Sequence, residues 1–417
     1  MSGRVDAAAV EQAAEVLRPV VRRTELEHSE RLSEIVGAHV LLKRENRQIT
    51  RSYKVRGAFH LISGLSAAEH ARGVVCASAG NHGQGLAWSC ARLGVRGRVY
   101  VPGNTPRQKR QRILALGQGL VELVVEGSTY DAAGAAAHAD AERTGAVYVP
   151  PFDDVRTIAG QGTIAAELVE QAPVPLHTVV VPVGGGGLAA GIAVWLRERQ
   201  PQIRIVGVEP QGAASMTAAL AAGGPVALPE VDTFVDGAAV GRVGDLTFPL
   251  VRDLVDEVVT VDAGAVCTEM LDLYQVEGII AEPAGALASA AARELAGTFP
   301  QDVGVACIVS GGNNDVSRYG EILERSLLHQ GLRHYFLVSF PQEPGALRHF
   351  LADVLADGED IVVFDYVKKN NRETGPALVG LELESAAGLA GLLDRMEASP
   401  LTIERVPPGS PLFTFLM

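Results

Sequence analysis

The chain has 417 residues, 47% hydrophobic and 20% charged, enough to bury a large core in more than one domain and too apolar for a disordered chain. A formal net charge of -13, with no basic run, argues against nucleic acid, whose phosphates need clustered Lys and Arg; a small-molecule substrate fits better. Cys76, Cys90, Cys267 and Cys307 form no C-x-x-C pair, and the runs around Cys76 and Cys307 are apolar, as for reduced thiols packed as small hydrophobes. Met1 to Val10 carries Asp6 and no long apolar stretch, so no secretory signal is expected and the cytoplasm is the default.

Ser52-Tyr53-Lys54-Val55-Arg56-Gly57-Ala58 places an amine at the opening of an amphipathic segment. Burial disfavours an ammonium ion, so such a lysine can condense with an aldehyde and then shuttle protons. A surface lysine in a first helical turn is the plainer alternative. Strand-like runs then alternate with helical stretches: Gly73 to Ala77 before Asn81 to Leu93, Arg98 to Val101 before Pro106 to Leu116, and Val121 to Val125 before Ser128 to Glu142. The rhythm resumes at Thr178 to Val183, Arg204 to Glu209, Glu257 to Val261 and Gly304 to Ser310, which predicts an α/β fold with parallel sheets in two subdomains. Ligands of such sheets lie beyond the carboxyl ends of the strands.

At one such end stands Ser78-Ala79-Gly80-Asn81-His82, whose backbone N–H groups could receive a substrate carboxylate. At another, the strand through Val183 runs into Gly184-Gly185-Gly186-Gly187 and an apolar helix. One glycine suffices for a turn; four let successive N–H groups converge on an anion at a helix N-terminus, a phosphate cradle. Thr178 to Trp195 is uncharged throughout, but Pro182 and the glycines break it, so no membrane span is expected. The strand ending at Ser310 offers a hydroxyl before Gly311-Gly312-Asn313. Gly184-x-Gly186-x-x-Ala189 with Glu209 also satisfies a relaxed dinucleotide fingerprint, which leaves an oxidoreductase or nucleotide sensor as an alternative.

The motifs around Lys54, Asn81, the glycine tetrad and Ser310, in that order, resemble those of the biosynthetic threonine dehydratases, fold type II pyridoxal phosphate enzymes of the tryptophan-synthase-β family, over nearly all of residues 1 to 325. Tyr53 departs from the commoner Phe. The resemblance implies that Lys54 forms the Schiff base with pyridoxal 5'-phosphate and acts as the base. It further implies that Asn81 meets the phenolic oxygen, Gly184, Gly185, Gly186 and Gly187 hold the phosphate, and Ser310 meets the pyridine nitrogen. A neutral hydroxyl there disfavours long-lived carbanions and favours prompt elimination of the threonine hydroxyl, giving 2-oxobutanoate and ammonia, with L-serine the weaker substrate. The acid for the leaving hydroxyl is unassigned; the cofactor phosphate is one hypothesis. A smaller subdomain is expected over roughly 50–155.

The nearest competitor is a serine racemase or serine dehydratase of the same fold. Similar racemases carry a serine where Ala79 stands, and a Glu and Asp six residues apart for a divalent cation where this chain has Glu209 and Ser215, so no metal is expected. After residue 330 the pattern becomes β-α-β-β-α-β: Arg333 to Phe340, a helix from Pro344-Gly345-Ala346-Leu347 through Leu355, Ile361 to Lys369, Ala377 to Glu384 across a polar turn at Asn370 to Gly375, Ala386 to Glu397, and Thr402 to Val406. Residues 333–417 thus resemble a single ferredoxin-like, ACT-like regulatory domain. The implied effector is L-isoleucine, or valine, near Gly345, and the implied assembly is a homotetramer; a purely structural appendage is the alternative.

Overall fold

A computed structural model describes residues 5–368, 372–408 and 410–414, which form two compact units divided between Asp315 and Val316. The larger sheet of the first unit runs in the order β1 (Leu26–His28), β2 (His39–Lys43), β10 (Gly304–Ile308), β7 (Leu176–Pro182), β8 (Arg204–Pro210), β9 (Glu257–Val261). All neighbours are parallel except β1, which pairs antiparallel with β2 at the edge. A smaller parallel sheet is ordered β5 (Val121–Val125), β4 (Gly97–Val101), β3 (Val74–Ala77), β6 (Val147–Tyr148). The parallel strands expected from sequence form within about two residues of their expected ends. Neither β1 nor β2 was foreseen, because a short run such as His-Val-Leu-Leu-Lys has no periodicity of its own.

The two helices that carry the lysine and glycine motifs are joined through a third by backbone-to-backbone contact. The helix Val155–Gln171 lies between Lys54–Ser63 and Gly187–Arg199. A Cβ at Gly160 would stand 2.7 Å from the Arg56 carbonyl oxygen, and one at Gly191 2.3 Å from that of Ile158. Only glycine permits such approach, so the helices lock at fixed register. Ile158, Ile164 and Leu168 of the middle helix join Val179, Val181 and Val183 of β7 and its loop in the main core.

The second unit contains the helix Tyr319–His329 and a four-stranded antiparallel sheet ordered β12 (Glu359–Tyr366), β13 (Thr374–Leu383), β11 (Arg333–Pro341), β14 (Thr402–Arg405). Helices Ala346–Asp353 and Gly388–Ala398 supply Phe350, Leu392 and Met396 to its core, against Phe336, Val338 and Leu381. The order is β-α-β-β-α-β, as expected. The first helix is shorter than expected, because Gly345 caps it at φ 97° instead of lying inside it. Lys369, Asn370 and Asn371 of the expected strand and turn, and Met1 to Arg4 of the N-terminal reading, lie outside the described residues.

Candidate active site

Lys54 is the first residue of its helix, and the strand-like chain before it pairs with the loop after β10. Ser52 forms an antiparallel bridge with Gly311, Tyr53 N donates to Ser310 O at 3.2 Å, and Gly312 N donates to Arg51 O at 2.9 Å. The lysine and the Ser310-Gly311-Gly312 turn, distant in sequence, are therefore one piece of backbone. Lys54 Nζ donates to Pro151 O at 2.9 Å. Burial lowers the amine to about 8, while the charge of Glu282 pulls it upward. An amine so placed is partly neutral at ordinary pH, as a nucleophile or base must be.

Arg56 is wholly buried behind Lys54. It donates to Glu45 Oε1 and Oε2 at 2.8 and 2.9 Å and to Glu167 Oε1 at 2.6 Å, and Lys43 Nζ donates to Glu167 Oε2 at 2.6 Å. Burial works against the guanidinium charge, but Glu45 and Glu167 outweigh it and push the pKa up. Two cations and two anions thus pin the lysine helix to β2 and to the helix Val155–Gln171.

Asn81 opens the helix Asn81–Leu93 after β3. Its Nδ2 donates to Glu282 Oε1 at 2.5 Å, and its Oδ1 accepts from Asn313 Nδ2 at 2.6 Å. Ser78, Ala79 and Gly80 before it are partly exposed, and Gly80 N donates to Ser78 Oγ at 3.2 Å. The first N–H groups of this helix have no intrahelical acceptor, which suits an anion. His82 is buried; its Nε2 meets Val149 O at 2.8 Å and its Nδ1 has no partner. Burial, then the charge of Lys54, drives its ring down to about 4, so it is neutral near pH 7.

The glycine tetrad turns from β7 into the helix Gly187–Arg199, with Gly186 as its cap at φ 92°. A Cβ at Gly185 would lie 2.3 Å from the Phe152 ring, and one at Gly187 2.7 Å from Gln161 Oε1. Side chains are excluded by packing as well as by the turn, and the surface left for a ligand is bare backbone. Gln161 Nε2 donates to Pro151 O at 3.1 Å, the carbonyl that also receives Lys54, and Gln161 Oε1 is buried without a partner. The stretch Pro151–Phe152 therefore joins the lysine to the glycine loop. Ser310 is buried, and its Oγ donates to Ala284 O at 3.0 Å; turned off that carbonyl, the same O–H can donate to another acceptor.

Glu209 stands at the end of β8. Its carboxylate accepts from Met216 N at 2.6 Å, Thr217 N at 2.8 Å and Thr217 Oγ1 at 2.7 Å. It caps the helix Ser215–Ala222 and is not free for a ribose hydroxyl, as the dinucleotide reading requires. Among the described residues no group of three or more His, Cys, Asp or Glu is placed to hold a metal ion, and no helix is long and apolar enough to cross a membrane.

A condensing amine, a bare-backbone anion cradle and a buried hydroxyl fit the aldehyde, phosphate and ring nitrogen of pyridoxal phosphate. Residues 17–311 match the model of the pyridoxal-phosphate dependent enzymes. The chain belongs to that family. Residues 324–416 match the C-terminal regulatory domain of threonine dehydratase. The chain is 60% identical to the biosynthetic L-threonine dehydratase of Mycobacterium tuberculosis (strain ATCC 25618 / H37Rv) over 98% of its own length and 95% of that protein. With the same enzyme of Bacillus subtilis (strain 168) the identity is 43%, over 97% and 96%. Among solved structures, the processed form of threonine deaminase isoform 2 from Solanum lycopersicum superposes with a TM-score of 0.72 at 38% identity, covering 78% of this chain and 96% of that one. Maize serine racemase gives 0.71 at 33%, covering 78% and 98%. The fold-level likeness thus extends to a racemase as well as a lyase. Family membership sets the dinucleotide reading aside.

Sequence reasoning missed Glu282, Gln161 and Pro151. Glu282 had a signal: it is the only charged residue between Glu277 and Arg293, a stretch otherwise rich in alanine and glycine. A lone carboxylate in such a run must find a partner.

Proposed function

We propose that this chain is a threonine ammonia-lyase, taking L-threonine, and L-serine more weakly, to the 2-oxo acid and ammonia at the start of isoleucine biosynthesis. Pyridoxal phosphate, when bound, supplies the electron sink that makes the Cα proton of an amino acid labile. Lys54 Nζ would hold the cofactor at rest and, once freed, take the Cα proton. A base with a pKa near the working pH serves that role best. Backbone N–H groups of Gly184, Gly185, Gly186 and Gly187 would bind the phosphate, the second Nδ2 hydrogen of Asn81 the phenolic oxygen, and Ser310 Oγ the ring nitrogen. The first turn at Ser78, Ala79, Gly80, Asn81 and His82 would orient the substrate carboxylate through main-chain donors, with the His82 ring tied to Val149 O.

The observation that carries this reading is the lowered, enclosed amine of Lys54 joined through Pro151 and Gln161 to the glycine loop. The racemase reading has the shared fold behind it but lacks a second proton carrier, because Ala79 has no titratable group. In the same reading residues 1–325 are catalytic, with a smaller subdomain over roughly 50–155, and 333–417 are a regulatory domain. That domain answers to L-isoleucine, or valine, near Gly345, in a cytoplasmic homotetramer. Reduction of the loaded protein with borohydride, followed by peptide mass mapping, is expected to place the cofactor on the peptide containing Lys54. Attachment to any other lysine would overturn the assignment.

A further inference from the structure

Glu282 lies between Asn81 and the Ser310-Gly311 turn. Its side chain is almost wholly buried at the start of the helix Pro283–Glu294. Oε1 accepts from Asn81 Nδ2 at 2.5 Å and would stand 2.2 Å from a Cβ at Gly311. Two residues on, Ala284 O takes the Ser310 hydroxyl, and Glu282 N donates to Gly311 O at 3.1 Å. One short segment therefore touches the residues proposed to contact the phenolic oxygen and the ring nitrogen.

The bonding of Asn81 gives this contact a consequence. Its Oδ1 is taken by Asn313, and one Nδ2 hydrogen by Glu282, so its remaining donor is the second hydrogen on the same nitrogen. An amide nitrogen that donates to an anion gains electron density, and its other hydrogen becomes a weaker donor; hydrogen bonds in series polarise one another. The geometry points to Glu282 as a positioning residue whose own proton, sensed at Asn81 Nδ2, sets how strongly Asn81 donates to the phenolic oxygen of the cofactor. This rests on the cofactor reading above.

The charged and titratable groups around Glu282 come from three elements. Asp236 is in the loop before Thr247, Lys109 on the helix Arg107–Gly117, and Tyr53 and Lys54 at the lysine turn. Lys109 Nζ also pairs with Asp236 Oδ2 at 2.7 Å. Burial, then Asp236, raises the Glu282 carboxyl to about 7, against the pull of Asn81, Lys109 and the Asn313 backbone N–H. His82, driven down to about 4, does not titrate in that range.

The test is the visible absorbance of the lysine-bound cofactor in the holoenzyme, followed from about pH 6 to pH 8. The wild type should show a spectral step with a midpoint near neutrality, and E282Q should hold cofactor and lose that step. Asp236→Asn should move the midpoint down and Lys109→Met should move it up, each by on the order of half a pH unit. These two variants decide the matter if E282Q does not load. A step unchanged in E282Q, or unmoved by both neighbouring variants, overturns the role of Glu282 and leaves the cofactor reading intact. Absence of any lysine-bound absorbance in the wild type overturns both.

Discussion

Gly185 and Gly345 each precede a helix after a strand, and they are held to glycine for different reasons. At Gly185 there is no room: the Phe152 ring would meet a Cβ at 2.3 Å. At Gly345 there is nothing within 4 Å of a Cβ, and only φ 97° disfavours a side chain. The difference extends to the surroundings. The Lys54 site is lined by groups with displaced ionisation, Lys54, His82 and Glu282, and backed by the buried charges of Lys43, Glu45 and Arg56 with half-buried Glu167. The helix at Gly345 leaves Leu347 and Leu351 exposed. A reaction site needs groups fixed in place, whereas a regulatory surface must favour one state over another by a modest free energy. Substitutions in the first region should therefore abolish function or folding, and in the second should alter response.

The largest expected effect is that of Lys54→Ala, which should lose the lysine-bound absorbance and at least about 10³-fold in turnover, measured with L-threonine. Arg56→Met comes next. It leaves buried Glu45 without its ion-pair partner and Glu167 with Lys43 alone, and should cost about 3 to 5 kcal/mol in denaturant unfolding. Gly185→Ala should cost about 1 to 3 kcal/mol by overpacking against Phe152, and weaken cofactor retention on dialysis. Gly345→Asp, in open space, should cost no more than about 1 to 2 kcal/mol, keep catalysis, and lose the response to isoleucine. A response retained in that variant would move the effector site elsewhere and blur the contrast between the two glycines.

A pH series sharpens the same contrast within the catalytic unit. Glu282 has a folded pKa raised from 4.5 to about 7, so the native state binds the proton more tightly than the unfolded chain. Stability from this group is fully present below about 4.5 and is lost as pH rises to about 7. E282Q stays neutral throughout, and its thermal midpoint should gain on the wild type across that window. The gain by pH 8 should be on the order of 3 kcal/mol, measured by calorimetry at matched cofactor loading.

Much of this was legible in the sequence because its signals are local. Alternating strands and helices fix the parallel sheets, and Asn81, Gly184 and Ser310 fall at or just after the turns that follow the strands, which the topology gathers. What escaped was non-local. Glu282 stands out as a lone carboxylate, but its contact with Asn81 does not; Pro151 matters through a carbonyl that any residue would possess. The glycine tetrad was read as a phosphate cradle, and its close fit to Phe152 and Gln161 adds a packing reason that no spacing could reveal. Strand β2 is recognisable only as the partner of β10, a pairing made across more than 250 residues, and β1 only as the edge partner of β2.

The most direct test is 2-oxo acid formation from L-threonine by the purified, pyridoxal-phosphate-loaded protein, with and without L-isoleucine, across a range of threonine concentrations. The expected result is turnover to 2-oxobutanoate that isoleucine suppresses at low threonine. No 2-oxo acid from a fully loaded protein would contradict the elimination chemistry assigned to the Lys54 site, and turnover untouched by isoleucine would contradict the regulatory role given to the C-terminal unit.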